Sequence, residues 1–144
     1  MNTRTIILRG VVAGLVHFFV GFLLYAVLFA GYLSKHMTPS ALVANRRAGS
    51  EVVSFIFLSC LCYGFLLSYF FTKGRSHSLK DGLLTGAITG FLYACAVNAN
   101  LYATTTILTP EVIIVDIILY TFMSTLMGGA ISFVGKRKKA VTIA

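Results

Sequence analysis

Charge is scarce in this chain: of 144 residues four are acidic and twelve basic, 11% charged in all, where an ordinary soluble domain carries about 25%. No Ser/His/Asp order, HExxH helix, paired intramembrane aspartates or glycine-rich phosphate loop is present. The common hydrolytic, metalloprotease and nucleotide-binding chemistries therefore have no foothold. Cysteines are few and odd in number, and all three (Cys60, Cys62, Cys95) fall in apolar runs, which argues against a disulfide framework. Cys60 and Cys62 diverge by about 160° around a helix and cannot readily share a metal. Low-complexity segments, internal repeats and a soluble domain are lacking too.

What is present is hydrocarbon. Hydrophobic residues make up 58% of the chain, and residues 10–34, 52–72 and 82–110 carry no charge, while 112–135 is interrupted only by Asp116. Each run exceeds the roughly 20 apolar residues that cross a hydrocarbon core about 30 Å thick as a helix. Continuous runs of this kind are unlike the short alternating strands of a membrane barrel. The expectation is an all-α, transmembrane four-helix bundle, a single integral membrane domain over 1–144, with helices at about 6–33, 52–71, 83–108 and 111–134. The basic opening "MNTRTIILR" resembles a signal peptide's start, but the apolar run after it is too long and "AVLFAGYL" is a weak cleavage site, so the segment is expected to be kept.

The net charge of +8 is distributed as a membrane protein distributes it. With the amino terminus in the cytoplasm, that side holds Arg4, Arg9, Lys73, Arg75, Lys80, Lys136, Arg137, Lys138 and Lys139. The other side holds Lys35, Arg46 and Arg47. This is the positive-inside asymmetry, and it predicts both termini in the cytoplasm. The partner of the basic tail "GKRKK" is then anionic lipid, not nucleic acid. Between the first two spans, "TPSALVANRR" predicts a short interfacial helix, with Thr38 as N-cap and Pro39 at its first position. The turn "LTPE" is so short that the third and fourth helices must be antiparallel neighbours.

Small residues mark the helix contacts. Gly10, Gly14 and Gly21 share an arc of the first helix with His17, and Gly82, Gly86 and Gly90 form a GxxxGxxxG ridge on the third. At 100° per residue that ridge extends through Tyr93, Val97, Asn100 and Thr104. Such spacing lets backbones approach closely in lipid; packing within the chain is favoured over homodimerisation. Asn100 is expected on this face, with Asn98 pointing to another helix or to water. Asp116, the one acid inside a predicted span, lies about 9 Å into the fourth helix. It is the default candidate for an ion or proton path, set against a structural staple to Asn100, Tyr102 or the hydroxyls of residues 104–106. His17 near mid-depth is expected to bond a neighbour rather than ligate a metal, and His36 and His77, in loops on opposite sides, do not suggest a haem pair. No catalytic residue, metal or cofactor is expected.

Three stretches, "GVVAGLVHFFVGFLLYAVLFAGYL", "GLLTGAITGFLYACAVNANLYATTT" and "VDIILYTFMSTLMGGAISFVGKRKK", together resemble a bacterial family of small, uncharacterised four-span integral membrane proteins. The likeness rests on Gly21, Tyr25, Val115, Asp116, Gly128 and Gly129, and covers all but the 34–50 loop. The tryptophan frequent in the first helix of such proteins is absent. The resemblance implies a bacterial cytoplasmic (inner) membrane and no particular activity. The scarcity of catalytic motifs and the small-residue ridges favour association, as a homo-oligomer or an accessory subunit of a larger membrane complex. The alternatives are carriage of a proton, ion or small solute through Asp116, Asn100 and His17 and, more weakly, an intramembrane enzyme in which Asp116 and His17 converge from different depths.

Overall fold

A computed structural model describes residues 3–44, 52–73 and 78–141, all helices and short connections with no strand among them. The order is α1 (Thr3–Gly21), a π-helical segment (Phe22–Leu28), α2 (Ala30–His36), α3 (Pro39–Ala44), α4 (Val53–Lys73), α5 (Leu79–Thr104) and α6 (Pro110–Val141). Four stretches, Thr3–Leu28, Val53–Lys73, Leu79–Thr104 and Pro110–Val134, are long and apolar enough to cross a membrane. Arg46, Arg47, Arg75 and His77 lie outside the described residues, as do the side chains of the basic tail.

Side-chain caps set the helix ends. Ser78 accepts from the Asp81 backbone N–H at 3.0 Å and starts α5 four residues before its apolar run. Thr109 accepts from Val112 N–H at 3.3 Å, with Pro110 in the first position of α6. The Thr38 hydroxyl oxygen accepts from Ala41 N–H at 3.2 Å ahead of Pro39. These groups satisfy donors that a helix start leaves orphaned. α5 stops at Thr104, because Thr105 is extended (φ −138°, ψ 165°).

Two antiparallel pairs are packed on small residues. In the α1–α4 pair a Cβ at Gly64 would meet the Gly10 carbonyl and, at 2.6 Å, the Gly14 nitrogen, while one at Gly14 would lie 2.9 Å from Leu61 Cα. Ser68 donates to the Ile6 carbonyl at 2.8 Å, and Phe18 meets Phe57 edge-on at 5.3 Å. Positions 6, 10, 14 and 18 thus oppose 68, 64, 60/61 and 57. In the α5–α6 pair Gly82 faces Ser132, Gly86 faces Gly128 and Ser124, and Gly90 faces Ser124, each so closely that a Cβ would strike the partner. Both contacts follow rows of every fourth residue, the ridge by which two helices interdigitate.

The pairs join through α1 and α6. Ala13, Leu67, Phe71, Met127 and Ile131 form one core cluster and Leu24, Leu119 and Met123 another. The helices are therefore ordered α4, α1, α6, α5. α4 and α5, the outer members, touch little.

Candidate functional site

Asp116 is the centre of a three-span joint. Its carboxylate accepts from the Tyr25 hydroxyl at 2.6 Å on one oxygen and from Asn98 Nδ2 at 2.7 Å on the other. Asn98 also donates to the Ala94 carbonyl one turn back, at 2.9 Å. The residue is partly buried, and hydrogen bonds to a carboxylate are worth about 1.5 to 3 kcal/mol in water-soluble proteins. Interhelical bonds in membranes average about 0.6 kcal/mol and reach about 1.7.

Tyr25 reaches Asp116 from the π segment. Phe29 N–H closes on the Leu24 carbonyl, five residues back, at 2.8 Å. This wide turn sets both Leu24 and Tyr25 against α6, where Leu24 packs on Leu119 and Met123. Segments of this type often occur at functional positions. Nothing in the apolar pattern distinguishes it from α-helix, which explains why the sequence predicts an unbroken first helix.

The expected position of Asn100 is corrected. Asn98 is buried at 4% exposure, in line with Gly82, Gly86, Gly90 and Ala94, whereas Asn100 is exposed. Continuing the glycine face at 100° per residue selects Asn100, but the contact follows the four-residue ridge, which turns by about 40° at each step. After four steps it arrives at Asn98, opposite Asp116, as the last rung of the Gly82–Ser132 ladder. The partners expected for an Asp116 staple change accordingly. Tyr102 is exposed, Thr104 and Thr105 hydroxyls return to the Asn100 and Leu101 carbonyls, and Thr106 contacts Ser40.

His17 lies in a second cluster, one turn from the first along α6. Its ring meets Tyr63 at 5.4 Å and Tyr120 at 5.3 Å, both edgewise. Tyr93 stacks on Tyr120 at 5.2 Å and tilts against Tyr63 at 5.2 Å. Each of the four spans supplies one ring. The Tyr63 hydroxyl is hydrogen-bonded to the Ser124 hydroxyl at 3.2 Å. His17 is 8% exposed, and its Nδ1 is buried without a hydrogen-bond partner. An unpaired buried polar atom costs about 1 to 3 kcal/mol. The sequence predicts a hydrogen bond to a neighbour here, and the surroundings of Nδ1 are rings instead.

Gly10, Gly14, Gly82, Gly86, Gly90 and Gly128 lie at close backbone approaches. Gly21 and Gly129 meet side chains, Met123 Sδ at 3.3 Å and Leu83 Cδ2 at 2.9 Å. Sequence reasoning misses Gly64, Tyr63 and Tyr120, and singles out Tyr25 only through the family resemblance. A signal existed for one of them: Tyr120 falls on the same four-residue row as Asp116, Ser124, Gly128 and Ser132.

The joint can hold helices together and position one carboxylate. Among the described residues no three His, Cys, Asp or Glu side chains converge as metal ligands. No family model matches the chain, and no curated protein or solved structure matches it at a significant level.

Proposed function

We propose that the chain is a non-catalytic, multi-pass protein of the bacterial cytoplasmic membrane, with both termini in the cytoplasm, that acts by helix association. It works as a homo-oligomer or as an accessory subunit of a larger membrane assembly. The supporting observation is the use of Asp116: the one acid in the interior of a span has both oxygens engaged by Tyr25 and Asn98. A carboxylate so engaged fastens spans, whereas an ion path requires exchange with water or a cation. Native mass spectrometry of the full chain, released from mild detergent, tests the reading. A defined oligomer or a stoichiometric complex is expected; a monomer that carries out proton-coupled uptake in liposomes would sink it.

A second reading, a proton, ion or small-solute carrier, draws support from the unpaired His17 Nδ1 in the core. Uptake lost in both Asp116→Asn and His17→Phe, with folding intact, is its expected signature. Orientation is tested separately by cysteines at positions 40 and 76 in a cysteine-free chain. An impermeant thiol reagent should label position 40 from outside and spare position 76, and the reverse pattern would invert the topology.

A further inference from the structure

The weakest side of the bundle and the unsatisfied imidazole of His17 meet at the same place. α4 and α5 touch little, and the Tyr63–Tyr93 ring pair is one of their contacts. Both rings lean on Tyr120, and Tyr63 and Tyr120 lean on His17. The imidazole therefore sits behind the rings that close this seam, 8% exposed, with Nδ1 unpartnered.

We propose that His17 is a proton-binding site whose occupancy opens the seam between α4 and α5. A neutral imidazole fits among the rings as an aromatic edge. A proton added at Nδ1 places a full charge there, and a charge in a membrane interior is stable only when paired or reached by water. The titratable groups against the ring are Tyr63 from α4 and Tyr120 from α6; behind them lie Tyr93 from α5, on both tyrosines, and Cys60 from α4, near Tyr120, with Asp116 one turn beyond Tyr120 and already bonded to Tyr25 on the histidine's own span. Among the described residues no carboxylate thus faces the imidazole directly. The α1–α4 and α5–α6 pairs are each locked by glycine contacts, so movement of Tyr63 away from Tyr93 is the response that leaves both intact. A parted seam gives that charge a path by which water can reach it. This inference does not depend on the association reading, because a proton-gated seam serves an oligomer or a carrier equally.

The test uses the full chain in nanodiscs of phosphatidylcholine and phosphatidylglycerol. With Cys60→Ala, the remaining cysteines, Cys62 on α4 and Cys95 on α5, carry spin labels for distance measurement by pulsed paramagnetic resonance. Between pH 8 and pH 4 the distance distribution is expected to shift to longer values. The shift should vanish in His17→Phe, which keeps a ring, and in His17→Gln, which keeps a polar group but takes no proton. Either variant suffices should the other fail to fold. Unchanged distances in the His17 chain, or the same lengthening without the imidazole, would overturn the proposal.

Discussion

At Asp116 a single side chain takes hydrogen bonds from two spans other than its own, so the chemistry of its replacement determines what is lost. Asp116→Leu strands the Tyr25 hydroxyl and the Asn98 amide, and should lower stability by about 1 to 3 kcal/mol. Asp116→Asn should cost less, since Asn98 can turn its amide and offer its oxygen to the new N–H groups. Asn100→Ala, at an exposed position, should be neutral. Unfolding in detergent with increasing dodecyl sulfate checks the order; damage from Asn100→Ala equal to that from Asp116→Leu would contradict the assignment of Asn98. A stable Asp116→Asn protein that loses an uptake or growth phenotype would instead favour the carrier reading. Asp116 itself is legible in the sequence as the lone acid within an apolar run. Its partners are not, because choosing Asn98 over Asn100 requires knowing that the helices mesh along every fourth residue.

The glycine rows make a prediction at the level of the helix pair. Gly86→Leu introduces side-chain atoms where even a Cβ would strike the Ser124 carbonyl, and overpacking typically costs about 1 to 3 kcal/mol. Gly31→Leu on α2, where an added Cβ meets nothing within 4 Å, should be neutral or slightly stabilising, since leucine favours helix over glycine. Thermal unfolding of the two variants side by side decides: equal midpoints would mean that the α5–α6 contact is not held by backbone approach. Hydropathy makes the four long helices legible, because a long uncharged run has few other stable forms in lipid. Their ends are set by Ser78, Thr105 and Thr109, polar residues that an apolar average ignores. The π segment is not legible in the sequence, because the wide turn closed by Phe29 N–H on the Leu24 carbonyl goes with a tertiary bond, from Tyr25 to Asp116, that the apolar pattern does not carry.

For the molecule as a whole, α1 with α4 and α5 with α6 form two hairpins, each with its own close-packed face, joined along α1 and α6. Cleaving the chain between Lys73 and Ser78 should therefore leave two halves that insert and copurify when made together, as expected when helices form first and associate afterwards. An affinity tag on one half should retain the other. Recovery of the tagged half alone would show that the α1–α6 contact is too weak to join them without a covalent link.

The first span and α2 after it, from Thr3 through the π segment to His36, run on as one rod of 34 residues bent at Phe29. At 1.5 Å per residue it is about 50 Å long, against a hydrocarbon core of about 30 Å. Its far end is tied to the protein: the Thr109 hydroxyl donates to the His36 carbonyl at 2.9 Å, and Ala41 on α3 is buried at 3% exposure. A rod anchored at Asp116 and again at Thr109 cannot lean by itself. In a thinner bilayer the body is therefore expected to incline together with this rod. Polarised infrared spectra of oriented bilayers should show the mean helix tilt rising as the acyl chains shorten, with the stability lost in Tyr25→Phe the same at every thickness. A tilt confined to the first span would mean that one of the two anchors gives way.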